Sequence, residues 1–600
     1  MYFYPKLIAS MKKITRNTFV KQAVGLGSIL LFKPFDSKGN SLFHANNDFY
    51  KRLVAANTKE VGKIIKNLSK DIEEVVRQLG YDYANLVSAY LEPTSNFHQN
   101  ADLIPLMEKI MRFLIKEQKA DGTLTIGNFD SPPDTAFILE PICAATTILQ
   151  EDKNPKLDTI KALAKTFILK VGDALTEGGI HTPNHRWVIS AGLAQINHLY
   201  PNKKYVKRID EWFSENLYID SEGHYLERSM IYSEVIDRAL IIIARLLNRP
   251  KLLEPVRKNL ERVYYHIEPN GETVTVDSRR QDQYRIWNSL LYYVLYRYMA
   301  IWDKNPTYAA IANFIEKTDG FEEKVTSQSL FWFLETPLLK QDMPSPTPLN
   351  TQYERFFKES NLVRFRRNDL TATVFGGTDM PLVIASGRSS NPNFFSFRKG
   401  EAILKHIRFS KDFFSTGYFR SNGIKKEGNK YILIQKIDVP YYQPLPNNKK
   451  RKDGDYKHSE SIDHRFWNKM DFENRPVSNV KTIETTITIQ ETKNGFDIDF
   501  QALGTEGVEV TIELCFKEGG KLSDMKTFDS KPNNYFLQNG IGLYTFGKDT
   551  ITFGNGTYSH NRLRGIDGEV YSTHFGTLRT QGMTVYLTGK TPFKHTLTIS

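Results

Sequence analysis

The chain has 600 residues and a formal net charge of +12, with 40% apolar and 25% charged residues. This length is too great for a single hydrophobic core, and the composition is that of an ordinary globular protein. Only two cysteines are present, Cys143 and Cys515, which excludes a disulfide framework and a cysteine-based metal site. We predict no metal and no cofactor.

The first predicted element is an export signal within residues 1–40. Met11-Lys12-Lys13 precedes the short apolar run TFVKQAVGLGSILLF, which is the order of a charged n-region and an apolar h-region. The run is shorter than a typical membrane span, and no cysteine follows it that could carry a lipid. We therefore expect export to the periplasm without a stable membrane anchor.

Residues 41–340 carry the periodicity of helices. One set of helices is predicted to begin near Tyr83, Asp134, Arg186, Met230, Tyr284 and Ser327, and a second set lies near 102–119, 156–172, 203–217, 252–265 and 305–317. The first set recurs at a long, nearly regular interval, which is typical of stacked helix pairs. Segment 230–247 is apolar on nearly all sides, whereas 203–217 has a polar face. The pattern predicts an (α/α)6 toroid of alternating inner and outer helices.

A Pro- and Ser-rich linker, residues 341–352, ends the helical part. Beyond it, in residues 353–600, apolar and polar residues alternate over several segments, namely 482–490, 496–503, 508–516 and 583–589. Asn494-Gly495 and Asn539-Gly540 supply turns. This texture predicts a C-terminal antiparallel β-sandwich, so the fold class is multidomain α and β.

The inner helices of a toroid run parallel, so the residues at their N-termini meet at one mouth. The polar residues predicted there, as candidates to bind or transform a substrate, are Asp134, Asn184, His185, Arg186, Tyr225, Arg228, Tyr232, Arg279, Arg280 and Gln281. Thr182 is a plausible N-cap and Pro183 suits the first helical position. A helix N-terminus favours an anion, and the amide, imidazole and guanidinium that follow would strengthen a carboxylate site.

Two cations, Arg279 and Arg280, precede the fifth predicted helix, where positive charge is disfavoured. An anion should balance them. Asp277 or Asp282 is one candidate, and a bound uronate is the other, because arginine grips planar carboxylates well. The positive charge of the whole chain also favours a polyanionic partner. The sequence shows no zinc-finger spacing, RNP-like motif or long basic helix, so an acidic oligo- or polysaccharide is preferred over nucleic acid.

Two segments resemble the heparinase II/III-like and alginate-lyase-like polysaccharide lyases. One is Asn184-His185 in TPNHRW, and the other is EGHYLERSMIYSEVIDRAL, residues 222–240, which is similar to a family stretch that carries the catalytic tyrosine. The resemblance implies an α/α toroid joined to antiparallel β-sheets, and places Tyr232 at the catalytic position. The family's β-domain histidine falls on Asn391 here, with His406, His458 and His464 as possible substitutes.

The resemblance implies β-elimination at a C4-linked uronic acid. Asn184, His185 and one or both of Arg279 and Arg280 would neutralise the carboxylate, and electrostatic stabilisation of this kind usually contributes most to catalysis. Tyr232 would act as base, acid or both, since neighbouring cations favour its phenolate form. Heparan, alginate, glucuronan and rhamnose-capped glucuronate, with exo action on the last, all remain open as substrates.

Two other functions are open. A glycoside hydrolase on an α/α barrel would use paired carboxylates, Asp134 with Glu227 or Glu234. A protein of the same architecture could also bind an acidic glycan without cleaving it.

Overall fold

The computed structural model describes residues 48–284, 286–377, 391–414, 416–460, 467–523, 525–528, 531–563 and 581–600. The predicted export signal and His464 lie outside these ranges. Residues 47–600 form one compact unit, with a helix-rich N-terminal region and a C-terminal region of several β-sheets. None of the helices in the described ranges has the combined length and apolarity that a bilayer span needs.

The helical region holds two rows of helices. In chain order its α-helices are α1 Asp48–Leu68, α2 Gln78–Leu91, α3 Leu103–Glu117, α4 Pro132–Leu149, α5 Asp158–Glu177, α6 His185–Leu199, α7 Lys203–Ser214, α8 Met230–Leu246, α9 Leu253–His266, α10 Tyr293–Trp302, α11 Pro306–Glu316, α12 Phe321–Lys324 and α13 Leu330–Glu335. α2, α4, α6 and α8 pack side by side in a buried row, and α3, α5 and α7 pack outside it. The alternation of buried and outer helices is confirmed; closure into a ring of six pairs stays a prediction.

The fifth predicted helix start, near Tyr284, is wrong. The chain forms a single 3-10 turn there, and α10 begins only at Tyr293. Between them, Trp287–Asn288 pairs with Glu272–Thr273 in a two-stranded sheet that holds the chain extended. The Asn288 side chain then accepts the backbone N–H of Leu290, in the turn that leads into α10. The polar residues after Arg280 are therefore presented from an irregular segment and not from a helix.

In the described ranges from Gln352 onward, the regular structure is mainly β-strands. In chain order, after β1 Glu272–Thr273 and β2 Trp287–Asn288, they are β3 Gln352–Phe357, β4 Leu362–Arg367, β5 Leu370–Phe375, β6 Phe395–Lys399, β7 Ala402–Lys411, β8 Lys425–Glu427, β9 Lys430–Tyr442, β10 Ser459–Glu460, β11 Trp467–Asn468, β12 Val477–Glu491, β13 Phe496–Gly504, β14 Glu509–Phe516, β15 Lys521–Ser523, β16 Lys526–Thr527, β17 Asn534–Phe536, β18 Ile541–Phe546, β19 Asp549–Gly554, β20 Met583–Lys590 and β21 Phe593–Ile599. The four segments predicted from alternation all form strands.

Two large sheets contain most of these strands. One has the order β15-β18-β19-β21-β13-β12-β9-β8 and the other β16-β17-β20-β14-β7-β6-β5-β4-β3. The pairing is antiparallel, as predicted, apart from the short parallel pair β17–β20. Apolar side chains of both sheets, such as Phe365 from one and Ile498 from the other, belong to one buried cluster.

The β region contacts the helical region through buried charges. Arg364 of β4 is fully buried and forms an ion pair with Glu268, N to O 3.0 Å, just after α9. The Thr371 hydroxyl of β5 donates to the same carboxylate at 2.7 Å. The turn after β3 also reaches the helices, because the carboxylate of Glu222 accepts the backbone N–H of Lys358 at 2.8 Å. The β region therefore holds the segment that carries the motif 222–240.

Candidate active site

Four side chains, the Glu227 cluster, meet where the third and fourth buried helices begin. They are Asn184, Glu227, Tyr232 and Arg280. One carboxylate oxygen of Glu227 accepts the backbone N–H of Asn184 at 3.1 Å and its side-chain amide at 2.8 Å. The other oxygen is paired with the Arg280 guanidinium. That guanidinium lies 4.3 Å from the centroid of the Tyr232 ring. The structure thus joins the predicted amide and guanidinium through one carboxylate, and places the predicted phenol ring against that guanidinium.

Glu227 balances the charge of Arg280, one of the two arginines before the irregular segment. Asp277 accepts instead from Arg262 at 3.2 Å and lies 3.5 Å from His266. Asp282 caps α8, since its carboxylate accepts the backbone N–H of Met230 at 2.9 Å. Burial raises the pKa of Asp282 to about 6, against the lowering effect of these hydrogen bonds. Both aspartates are thus engaged elsewhere, and Glu227 forms the ion pair with Arg280.

The start of α6 differs by two residues from the prediction. Thr182 does not cap the helix; Asn184 occupies the N-cap position and His185 is the first helical residue. The Asn184 side chain is fully buried and donates to Glu227 and, at 3.2 Å, to Thr182. Its amide oxygen has no hydrogen-bond partner among the described residues. The amide protons therefore hold Glu227 in place in this structure.

Tyr232 lies in the first turn of α8 and is partly buried. Ser229 caps this helix by accepting the Tyr232 N–H at 3.2 Å. Gly223, in the same motif, has φ +86°, and a Cβ there would overlap the carbonyl oxygen of Lys258. Only glycine suits this position. The motif thus fixes its own loop and the start of the helix that carries the tyrosine.

A second group, the Asp134 cluster, forms at the start of α4. Its members are Arg77, Asn128, Ser131 and Asp134. Asn128 and Ser131 each donate to Asp134 at 2.8 Å, and Arg77 forms an ion pair with it. Burial alone would raise the pKa of Asp134, but these donors outweigh it and hold that pKa below its usual value. Asp134 is therefore an ionised acceptor near neutral pH.

His185 lies between the two clusters. Burial is the main cause that lowers the pKa of His185 to about 4. The charges of His181, Arg280 and Arg77 lower this pKa further, whereas Asp134 raises it. The rings of His181 and His185 meet edge to face with centroids 4.6 Å apart. The Nδ1 atom of His185 is buried without a hydrogen-bond partner among the described residues. A neutral imidazole here can offer an N–H without adding charge.

We expect the His185 ring to titrate near pH 4, whereas a free histidine titrates at about 6.5. As the pH falls from 6.5 to 4, His185 becomes protonated in the unfolded chain but stays neutral in the folded chain. The free energy of unfolding therefore decreases in this window. NMR titration of the ring signals measures the value, and His185→Gln identifies the signal. Titration of this ring near pH 6.5 would contradict the expectation.

Several predicted site residues are placed elsewhere. Arg186 turns to the outer row, where it pairs with Glu215 at 2.8 Å. Tyr225 is 2% exposed, and its hydroxyl donates to Asp237 at 2.7 Å, so it is a core residue. Arg228 donates to the carbonyl oxygen of Glu359 in the β region at 2.8 Å.

Two further candidates lie close to the Glu227 cluster along the chain. Arg279 donates from its backbone to the carbonyl oxygen of Glu227 at 3.1 Å and from its side chain to that of Leu226 at 3.0 Å. Gln281 begins the 3-10 turn that follows Arg280. The structure thus keeps Arg279 in contact with the loop that carries Glu227.

The β region contributes Asn391 to this neighbourhood. The Asn391 amide donates to the Gln283 side chain at 3.3 Å and is buried. Among the possible histidine substitutes, His406 is buried in β7 beside Glu513, 3.4 Å away, inside the β region. Asn391, at the sequence position where the family resemblance places a histidine, therefore contacts the irregular segment that follows Arg280.

Sequence reasoning missed Arg77, Asn128 and Phe129. Arg77 precedes α2 and has no motif around it, and it reaches the site only because α2 packs beside α4. Phe129 is 90% exposed, next to Asn128. Its loop is pinned, since Thr125 donates to Asp130 at 3.0 Å. The only signal in the sequence is the polar run before α4, which points to Asp134 and not to its partners.

Comparison with known proteins gives a fold. No protein-family model matches the sequence, and no curated protein matches it. The structure is similar to the chondroitin AC lyase of Streptomyces coelicolor A3 in complex with chondroitin sulphate, with a TM-score of 0.54 and 10% identity over 94% of this chain and 80% of that chain. It is also similar to Paenibacillus xanthan lyase, with a TM-score of 0.52 and 9% identity over 92% and 57%. The chain has the polysaccharide lyase fold.

The lyase fold implied by the two motif segments is therefore confirmed. Heparinase III is a further match, with a TM-score of 0.49 and 12% identity over 87% of this chain and 76% of that chain. Identities of this size show a shared fold and not a shared substrate. The chemistry of this lyase-fold protein has to follow from its own residues.

Proposed function

We propose that the protein is a polysaccharide lyase that cleaves a glycan at a C4-linked uronic acid by β-elimination. The observation that carries the proposal is the Glu227 cluster, in which the Arg280 guanidinium lies against the Tyr232 ring. The lyase fold supports it. The helical toroid and β-sandwich expected for this class, and a periplasmic location from the export signal, belong to the same proposal.

In this proposal the uronate carboxylate approaches Arg280 and His185. Arg280 supplies charge and neutral His185 supplies an N–H, which together stabilise the negative charge that develops when the C5 proton leaves. Tyr232 takes that proton as base, passes one to the C4 leaving oxygen as acid, or does both. Glu227 and Asn184 keep Arg280 in position, and Asp134 accepts from a sugar hydroxyl or from its own three donors.

A panel of acidic polysaccharides tests the proposal. Elimination creates a C4–C5 double bond next to the carboxylate, which absorbs in the ultraviolet, and hydrolysis does not create one. We expect at least one of heparan, alginate, glucuronan or a rhamnose-capped glucuronate glycan to give this absorbance. Reducing ends released without absorbance would favour the hydrolase, and binding without any new ends would favour a glycan-binding protein.

One observation favours the hydrolase as second candidate. Burial and the neighbouring Glu140 raise the pKa of Glu234 to about 7 against the effect of Arg238, which suits a general acid, while Asp134 stays ionised. If this function were correct, Asp134→Asn and Glu234→Gln would each abolish release of reducing ends. Under the lyase proposal Asp134→Asn lowers turnover less than loss of the Tyr232 hydroxyl does.

Phe129 offers a separate check of where the glycan lies. We expect Phe129→Ala to raise KM by about fivefold, with kcat unchanged, because a sugar stacked on this ring buries apolar surface worth ~1 kcal/mol. The side chain is 90% exposed, so folding stays intact. Phe129→Tyr keeps the ring and is the matched control. An unchanged KM for Phe129→Ala would place the glycan elsewhere.

A further inference from the structure

One buried carboxylate, that of Asp282, connects two segments of the candidate active site. Asp282 lies in the 3-10 turn that follows Arg280. Its Oδ2 atom accepts the backbone N–H of Met230 at 2.9 Å and the hydroxyl of Ser229 at 3.0 Å, both at the start of α8. Its Oδ1 atom accepts the hydroxyl of Ser278, which lies on the other side of Arg280 in the same irregular segment. The two carboxylate oxygens thus tie this segment to α8.

The two serine hydroxyls extend this connection to the Glu227 cluster. The Ser229 hydroxyl oxygen accepts the backbone N–H of Tyr232 at 3.2 Å. The Ser278 hydroxyl oxygen accepts the backbone N–H of Arg280 at 3.1 Å. A hydroxyl can donate one hydrogen bond while it accepts another. The backbones of Tyr232 and Arg280 are therefore each one serine hydroxyl away from the same carboxylate. We call Asp282, Ser229 and Ser278 the Asp282 network.

Burial makes the Asp282 network sensitive to substitution. All three side chains are at most 1% exposed, so water does not replace a lost acceptor, and a buried donor left without one is costly. A carboxylate accepts on both of its oxygens, whereas an amide of the same shape has a donor in place of one of them. Only an ionised Asp282 can therefore accept from the start of α8 and from Ser278 together.

The distance between Tyr232 and Arg280 is the quantity that this network controls. Their side chains come from separate segments and meet with the guanidinium 4.3 Å from the ring centroid. Glu227 holds the guanidinium end of Arg280, and the Asp282 network holds its backbone end. Displacement of a reacting group by about 1 Å can lower a rate by about a hundredfold. The spacing of the two backbones is therefore important for any reaction that uses both side chains.

We propose that Asp282 is a positioning residue, which acts through Ser229 and Ser278 to hold Tyr232 and Arg280 at a fixed distance. The inference rests on the proposed lyase function and assigns a role to a residue that acts through others and not on the glycan. A uronate bound to a displaced Arg280 moves with it, so binding is kept while the C5 proton moves out of line with the phenol. Loss of the network therefore lowers kcat and leaves KM unchanged.

Two variants break the link between Asp282 and Ser278. Ser278→Ala removes the hydroxyl, and Asp282→Asn keeps one oxygen for the start of α8 but removes the second acceptor. We expect each variant to lower kcat for double-bond formation by about tenfold or more, with KM within about twofold of the wild-type value. Because both changes break one link, the double variant should lose little more kcat than Asp282→Asn alone. Ultraviolet absorbance measures both constants.

Asp237→Asn is the matched control. Asp237 is an equally buried carboxyl on α8, and it accepts the Tyr225 hydroxyl at 2.7 Å in the core. We expect this variant to leave kcat of the folded protein unchanged, whatever the change in its thermal midpoint. The positioning role would be overturned if Ser278→Ala and Asp282→Asn lowered only the thermal midpoint. It would also be overturned if their effects on kcat multiplied, or if Asp237→Asn lowered kcat equally.

Hydrogen exchange tests the network without a substrate. In Ser278→Ala the backbone N–H of Arg280 loses its acceptor, so its exchange should become faster by about tenfold or more, while exchange at Tyr232 stays unchanged. Unchanged exchange at Arg280 would overturn the network. Failure of the lyase proposal is a different result, namely no double-bond formation by the wild-type protein with any glycan of the panel.

Discussion

Tyr232→Phe is expected to reduce kcat for double-bond formation by about a thousandfold, the usual size of a general acid–base contribution. The substitution keeps the aromatic ring, so the contact with Arg280, 4.3 Å from the centroid, is retained. The cap of α8 is also retained, because Ser229 and Asp282 supply it. Loss of turnover then reports on the hydroxyl alone. Ultraviolet absorbance measures kcat and KM together.

Tyr225→Phe is the matched control, since Tyr225 belongs to the same motif and the structure places its hydroxyl in the core on Asp237. We expect it to lower the thermal midpoint and to leave kcat of the folded protein unchanged. The opposite result, in which Tyr225→Phe is inactive and Tyr232→Phe keeps its activity within a few-fold, would reject Tyr232 as the catalytic residue.

The sequence predicted the parts of the site that follow from local patterns. Asn184 and Tyr232 stand at helix starts, and helix starts are marked by capping residues and by the return of apolar periodicity. Parallel packing of the buried helices then brings those starts together. The β-strands could be predicted equally well, because apolar and polar residues alternate regularly over β12, β13 and β14 and the turns between them contain glycine.

Contacts between side chains of different helices and loops could not be predicted from the sequence. Glu227 and Arg280 are 53 residues apart, and Arg77 and Asp134 are 57 apart, so no spacing links them. Charge along the sequence suggested Asp277 or Asp282 as the ion-pair partner of the arginines. In the structure, Asp277 instead binds Arg262, and Asp282 accepts a backbone N–H at the start of α8. Local propensity also failed after Arg280, where pairing of Trp287–Asn288 with β1 prevents a helix.

The second large effect is expected at the contact between the helical and β regions. Arg364→Gln should lower the free energy of unfolding by about 3 kcal/mol or more, because it leaves the carboxylate of Glu268 buried without its main partner. Both side chains are at most 2% exposed. Arg367→Gln is the control: Arg367 pairs with Glu491 at 2.8 Å, but this pair is about one-third exposed, and its loss should cost under about 1 kcal/mol.

A double variant separates the lost charge pair from lost packing. Arg364→Gln with Glu268→Gln removes both charges, so chemical denaturation should show recovery of part of the stability that Arg364→Gln alone loses. If the double variant lost the sum of the unfolding free energies lost by the two single variants, the charges would not stabilise each other. That result would contradict the ion pair as the origin of the effect.

The same pair sets an acid limit for the fold. Burial would raise the pKa of Glu268, but the guanidinium groups of Arg364 and Arg398 outweigh it and bring that pKa to about 2. An unfolded glutamate titrates at about 4.3. Because the folded value is the lower one, this contribution to stability is complete above pH 4.3 and is lost as the pH falls from there to 2. Arg364→Gln removes the cation that lowers the pKa, so its unfolding free energy should depend less on pH in this window than that of the wild-type protein.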